Sequence, residues 1–171
     1  MDLVSDHGVY YKPKLGKWKM TENLKTEWIP SVLSVFEKFV DRTPGSSIEK
    51  KKFYLAWYHP IVDKELARKS LTEIKTVLNS FIANTDLTML DGNKVLEVKS
   101  TKVSKGRAST QIQKQVNFDE ILCFGDDWTD EFMFEDLPEK IHSIRVGFKK
   151  NKRKAQCSFA LRVRRILQYL L

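Results

Sequence analysis

The residues best equipped for chemistry lie in one run, Ile121-Leu122-Cys123-Phe124-Gly125-Asp126-Asp127-Trp128-Thr129-Asp130-Glu131. Four apolar residues and a glycine predict a buried strand, and the Asp and Thr residues that follow predict a helix start. A strand that leads straight into a helix sets Asp126 and Asp127 at the carboxyl end of a parallel strand, where open α/β sheets bind ligands. Adjacent carboxylates, with Asp130 one turn on, repel one another unless a cation neutralises them. Hard oxygen ligands suit Mg²⁺, which keeps several waters and takes only one or two protein carboxylates. The same residues would equally serve as an acidic, solvated turn, because acidic side chains favour helix N-termini. A second group is Val103-Ser104-Lys105-Gly106. A lysine in the first turn of a helix opposes the macrodipole, so Lys105 suits that place best when an anion such as phosphate shares it. The competing reading is an exposed lysine turned to water, at a cost well below about 1 kcal/mol.

The elements that must hold these groups follow from periodicity. Thr21 can cap a helix in which Leu24, Trp28, Val32, Phe36 and Phe39 recur at helical spacing, with Pro30 marking a kink or a late start. A turn over residues 42–46 leads to a strand over 48–58, which Pro60 stops. Asp63 caps a second helix with the inward stripe Leu66, Ser70, Ile74, Val77 and Phe81, and a hairpin folds about Asp91-Gly92-Asn93. Residues 12–100 thus read as an α+β module. Beyond it a helix over 104–115, a strand over 121–124, a helix from Thr129, a strand over 143–146 and a last helix over 158–171 alternate. Phe159, Val163, Ile166, Leu167 and Leu170 line one face of that last helix. Such alternation predicts α/β architecture, a parallel sheet with helices on its faces, for residues 1–11 and 101–171 together.

Composition narrows the classes. At 171 residues with 42% hydrophobic content the chain forms one ordinary domain or two small ones, not a disordered tail. Its 30 basic and 22 acidic residues give +8, which invites a polyanionic partner. Ten of the basic residues lie from Lys140 onward, where there is no Asp or Glu, so the rest of the chain carries −2. The apolar stripe of the last helix suits a core-facing element, so nucleic acid is not the expected partner. Two cysteines, Cys123 and Cys157, are too few for a disulfide scaffold or a four-ligand zinc site and fit reduced thiols. Neither a signal peptide nor a membrane span is legible, which predicts a soluble, cytoplasmic protein.

Lys-Gly opening a helix, followed by strand-Gly-Asp-Asp-x-x-Asp-Glu, resembles two motifs of the haloacid dehalogenase superfamily of phosphatases. Asp6-His7-Gly8, Arg42-Thr43-Pro44-Gly45-Ser46, Ile48-Glu49-Lys50-Lys51, Leu55-Ala56-Trp57 and Val95-Leu96-Glu97-Val98-Lys99 narrow the resemblance to the trehalose-6-phosphate phosphatase family. The chain looks like the C-terminal phosphatase half of bacterial bifunctional synthase/phosphatase enzymes. The resemblance implies a haloacid-dehalogenase-like fold, a partial Rossmannoid core with an α+β cap. It implies hydrolysis of trehalose 6-phosphate, in trehalose biosynthesis, through an aspartyl-phosphate intermediate with Mg²⁺. Lys105 would pair with the phosphate, and Asp126, with Asp127 and Asp130 behind it, would hold the metal. His7 and Gly8 match the motif where the cap begins, and Glu49 and Lys51 match positions that bond sugar hydroxyls.

The departures from the family pattern shape a further expectation. The family's Asp-x-Asp-Gly-Thr, which carries the nucleophile, occurs nowhere in these residues, and Asp6, Lys50 and Tyr58-His59-Pro60 replace Glu, Glu and His-Tyr-Arg. The expected protein is therefore a truncated form, inactive alone, with open sheet edges that leave it marginally stable or associating. A separate polypeptide would supply the missing strands, making this half of a split enzyme. The alternative is a non-catalytic sugar-phosphate-binding or regulatory module.

Overall fold

The computed structural model describes residues 2–114, 119–138, 141–147, 155–157 and 160–169. The chain divides into two compact units, Glu22–Val103 on the one hand and Met1–Thr21 with Ser104–Leu171 on the other. The segment from Lys12 to Thr21 belongs to the second unit rather than to the first.

In Glu22–Val103 the first helix, α1 (Ile29–Arg42), begins later than the apolar spacing predicts, with Pro30 in its first turn. Proline is at home there because that N–H has no helical partner anyway. Thr21 caps nothing; its hydroxyl donates to the carbonyls of Gly8 at 2.5 Å and Val9 at 3.1 Å. The predicted strand over 48–58 is two strands, β4 (Ser47–Lys50) and β5 (Tyr54–Tyr58), folded back by a turn in which the Lys51 N–H donates to the Tyr54 carbonyl at 3.0 Å. Then follow α2 (Lys64–Ile82), β6 (Leu87–Gly92) and β7 (Val95–Ser100), and the sheet runs β4-β5-β7-β6 with every pair antiparallel.

Alternation splits this sheet. Leu55, Trp57, Leu96 and Val98 turn to one face and form the buried core with Ile29, Val32, Phe36 and Phe39 of α1 and Ile74 and Leu78 of α2. Pairing places Glu49, Ala56 and Glu97 side by side on the other face. The inward stripe of α2 is Ala67, Ser70, Ile74 and Leu78, whereas Leu66, Val77 and Phe81 are exposed. Ser70 and Ile74 face inward as predicted, Ser70 against the buried Thr43 hydroxyl 2.9 Å away, while Ala67 and Leu78 take the places expected for Leu66 and Val77. Asp63 does cap α2, accepting from the N–H groups of Glu65 at 3.0 Å and Leu66 at 3.1 Å. Asp63→Ala is expected to cost about 1 kcal/mol, read as a lower denaturant midpoint with an unchanged slope.

The second unit opens with a small antiparallel sheet, β1 (Leu3–Ser5), β2 (Tyr10–Lys12) and β3 (Lys19–Met20), joined by a turn at Asp6–Gly8. Next come α3 (Lys105–Gln113), β8 (Leu122–Gly125), α4 (Trp128–Asp136), β9 (His142–Val146), β10 (Ala155–Cys157) and α5 (Ala160–Tyr169). The predicted parallel sheet is present in the order β10-β9-β8, with β10 as a strand that short length and mixed polarity hid in the sequence. Met133, Phe134, Leu137 and Ile141 are its buried cluster, with Ile121 and Cys123 packed against them. The fold is therefore α/β in this unit and α+β in the other. The predicted helix end at Gln115, the basic cluster over 149–154 and the apolar positions Phe159 and Leu170 lie outside the described residues. Among the described residues no helix is long and apolar enough to cross a membrane.

Candidate active site

The site is built where β8 ends. Gly125 closes the strand against Asp130, and a Cβ at Gly125 would lie only 2.3 Å from the Asp130 Cβ, so no other residue fits without displacing that carboxylate. Asp130 is 6% exposed and both of its oxygens are engaged. Its Oδ1 accepts from the Lys105 ammonium at 2.7 Å, while Oδ2 accepts from the backbone N–H groups of Asp126 at 2.9 Å and Asp127 at 3.1 Å. One buried carboxylate thus fastens the loop to α4 and aims the lysine.

Asp127 is the N-cap of α4. Its Oδ1 accepts from the Thr129 N–H at 2.8 Å, the Thr129 hydroxyl at 2.6 Å and the Asp130 N–H at 3.0 Å. With the Asp130 side chain reaching back, this is a reciprocal capping box. Its Oδ2 stands 3.7 Å from the Lys105 ammonium. Burial pushes the Asp127 carboxyl up, but the Thr129 hydroxyl, the Lys105 charge and the two N–H donors together hold it below the ordinary value of 3.8. A carboxyl depressed in the folded state contributes stability that is fully present above its ordinary value and lost as pH falls through the folded one. Asp127→Asn is therefore expected to flatten the acid limb of a stability-versus-pH curve below about pH 4, measured by urea melts at stepped pH.

Asp126 differs from both. Its backbone is held, yet among the described residues its exposed carboxylate accepts no hydrogen bond and makes no ion pair. Arg145 on β9 reaches the Asp126 carbonyl at 3.5 Å and pairs with Glu131 of α4. The thiol of Cys123, one turn of strand back, is pushed up to about 11, mainly by burial and then by the Asp130 charge, so it is inert as a nucleophile.

Lys105 enters from α3, whose N-cap Ser104 accepts from the Arg107 N–H at 3.0 Å. Two glycines let α3 lie this close to its neighbours. A Cβ at Gly106 would fall 2.2 Å from Asp136 Oδ2, and one at Gly8, where φ is +105°, would fall 2.7 Å from the Ser104 carbonyl. Gly8 therefore seats the turn of Asp6 and His7, both at positive φ, against the first turn of α3.

Glu49 and Lys51 belong to the other unit, where they form their own pair. The Lys51 ammonium lies 3.2 Å from Glu49 Oε1, and the Tyr58 hydroxyl donates to Oε2 at 3.0 Å, which hold the Glu49 carboxyl below its usual range. Glu97 shares that sheet face, is 7% exposed, and its Oε1 has no hydrogen-bond partner among the described residues. Nothing but the strand register marks Glu97 as part of this polar face.

Does the donor set at the end of β8 suit Mg²⁺? Among the described residues no three His, Cys, Asp or Glu side chains converge as a closed metal cage. Mg²⁺ does not need one, since it retains waters and takes one or two carboxylates. Asp126 offers an unengaged carboxylate, and four carboxylates (Asp126, Asp127, Asp130, Glu131) stand with two fixed cations (Lys105, Arg145), an excess that a divalent cation balances. The residues fit the ion.

A family profile described as trehalose-phosphatase matches residues 1–164. The chain is 32% identical over 145 residues, 85% of its length, to a bifunctional trehalose-6-phosphate synthase/phosphatase of Thermoproteus tenax, of which it covers 20%. It is 34% identical over 158 residues to a trehalose-phosphatase of Saccharomyces cerevisiae, with 80% of the chain and 18% of that protein covered. It thus spans about a fifth of the length of these curated relatives. Among solved structures, the C-terminal domain of trehalose-6-phosphate phosphatase from Candida albicans superposes with a TM-score of 0.82 at 25% identity, covering 99% of this chain and 70% of that one. Profile, relatives and fold together show that the chain belongs to the trehalose-phosphatase family.

Proposed function

We propose that the chain forms the lysine-and-carboxylate side of a site that hydrolyses the phosphomonoester of trehalose 6-phosphate. The observation that carries this reading is the Lys105 ammonium, fixed 2.7 Å from a buried Asp130 at the carboxyl end of a parallel strand. Lys105 meets the phosphate, and Asp126 with the outer oxygen of Asp127 holds Mg²⁺, which when bound supplies charge neutralisation for the transferring phosphoryl group. Asp130 acts from behind, keeping the ammonium aimed and the loop closed. Glu49 and Lys51, with Glu97 on the same sheet face, offer alternating donors and acceptors for sugar hydroxyls.

The nucleophile comes from outside these 171 residues, which contain no Asp-x-Asp-Gly-Thr, and the chain alone turns over no substrate. Among the described residues β8 has a partner only in β9, so its other edge is open. Leu122 and Cys123 of β8 also line a groove of about 340 Å³ of mixed character, with Ile112 and Leu137 but also Ser109 and Glu120 in its wall. A strand laid parallel to β8, from a separate polypeptide or another segment, would pair with that open edge and bring its own carboxylate to the end that carries Lys105.

Calorimetric titration of the chain with trehalose 6-phosphate and with trehalose, each in the presence of Mg²⁺, tests the reading. Binding of the phosphate ester that is much tighter than binding of the free sugar is expected. Equal affinity for the two would remove Lys105 and Asp126 from the account.

A further inference from the structure

We propose that Arg145 is a positioning residue: it fixes the Asp126–Asp127 peptide and thereby presents the Asp126 carboxylate to a cation. The inference rests on the metal reading given above and extends it to a residue that charge counting alone assigns to the basic tail. Arg145 lies opposite Gly125 in the parallel register of β8 and β9, and its side chain is 11% exposed. One arm of the guanidinium pairs with Glu131 in the first turn of α4, and the other reaches the Asp126 carbonyl at 3.5 Å. The N–H at the other end of that same peptide, on Asp127, donates to Asp130 Oδ2 at 3.1 Å, and the Asp126 N–H donates to that oxygen at 2.9 Å.

The peptide is therefore held at its nitrogen by the buried Asp130 and approached at its oxygen, at 3.5 Å, by the half-buried Arg145, a group of opposite charge. Every backbone group around Asp126 is committed while its carboxylate is not. A forked side chain suits this brace, because the guanidinium places two separate nitrogens toward Glu131 and the carbonyl, whereas an ammonium must serve both from a single nitrogen. Partners that orient a metal ligand in this way commonly govern its affinity.

Arg145→Lys tests the proposal, since it keeps the charge and the ion pair with Glu131 but loses the fork. Amide hydrogen exchange of the full 171-residue chain should show the Asp127 N–H exchanging roughly three- to tenfold faster, with the amides of Met133 and Phe134 within α4 unchanged. Mn²⁺, used as a probe ion and followed by calorimetry, should bind about tenfold more weakly than to the unaltered chain. Unchanged exchange at Asp127, or acceleration spread evenly over α4, would overturn the proposal and leave Arg145 a packing cation. Should the unaltered chain bind no Mn²⁺, the metal reading fails, and exchange at Asp127 still decides whether Arg145 holds the peptide.

Discussion

Asp130→Asn is expected to destabilise the second unit by about 2–4 kcal/mol and to disorder the loop after β8, although it changes a single atom. The carboxylate accepts on both oxygens, from an ammonium on one side and from two backbone N–H groups on the other. An asparagine has one oxygen for these two sets of donors, so its NH₂ must face either Lys105 or the loop, donor against donor. At 6% exposure water cannot repair the mismatch. Asp130→Ala avoids the repulsion but leaves the same N–H groups unanswered, so both variants should lower the thermal midpoint by many degrees, as measured by circular dichroism. A fall of only a degree or two would mean that the loop is held by something other than this carboxylate.

Lys105→Met should lower stability, because the buried Asp130 carboxylate loses its cation, and should also remove most of the affinity for a phosphate ester, about 30- to 100-fold. Methionine matches the aliphatic stem of lysine, so little packing is lost, and the Asp130 side chain, 8% exposed, keeps its two backbone N–H donors. What disappears is a charge-assisted donor at the first turn of a helix, the place where an anion is otherwise best received. Calorimetry with trehalose 6-phosphate reads the loss, and urea melts read the stability separately. Lost stability without lost affinity would reverse the assignment and make Lys105 a structural partner of Asp130.

The two predictions separate roles that residue types alone leave joined. In the sequence Asp126, Asp127 and Asp130 are three carboxylates at metal-type spacing, and the strand-to-helix change that positions them is readable from four apolar residues, a glycine and a cap. Their division of labour is not readable, because it depends on which oxygen meets which backbone N–H. Asp130 fastens, Asp127 caps, and Asp126 alone is left with an unengaged carboxylate. Arg145 escaped for a related reason: its place in the basic tail hid the fact that β9 carries it next to Gly125.

Elsewhere the sequence misled where a local signal was outcompeted by a tertiary one. Thr21 is a good cap by type, but its hydroxyl is used across the turn at Gly8 and Val9, and α1 starts at Ile29 with Pro30 in its first turn. Val77 and Phe81 have the right spacing for an inward stripe, yet Ser70 and Ile74 share their buried face with Ala67 and Leu78 instead, since both choices fit helical spacing and only packing decides between them. The three strands between Leu3 and Met20 are two or three residues each and mostly polar, too short for a period-2 pattern to register. The long elements, by contrast, were legible: α2 with its Asp63 cap, the hairpin of β6 and β7, and the alternating units from α3 onward.

On the proposed function, Lys105 binds the phosphate, Asp126 binds the metal, and the nucleophile comes from outside these 171 residues. The most direct measurement is Mg²⁺-dependent release of inorganic phosphate from trehalose 6-phosphate, by the purified chain alone and after adding a polypeptide that bears an Asp-x-Asp-Gly-Thr strand. The account predicts no release by the chain alone and release once the strand is supplied, abolished again by Lys105→Met. Phosphate release by the chain alone would contradict it, as would a silent mixture in which the added strand is seen to bind at β8.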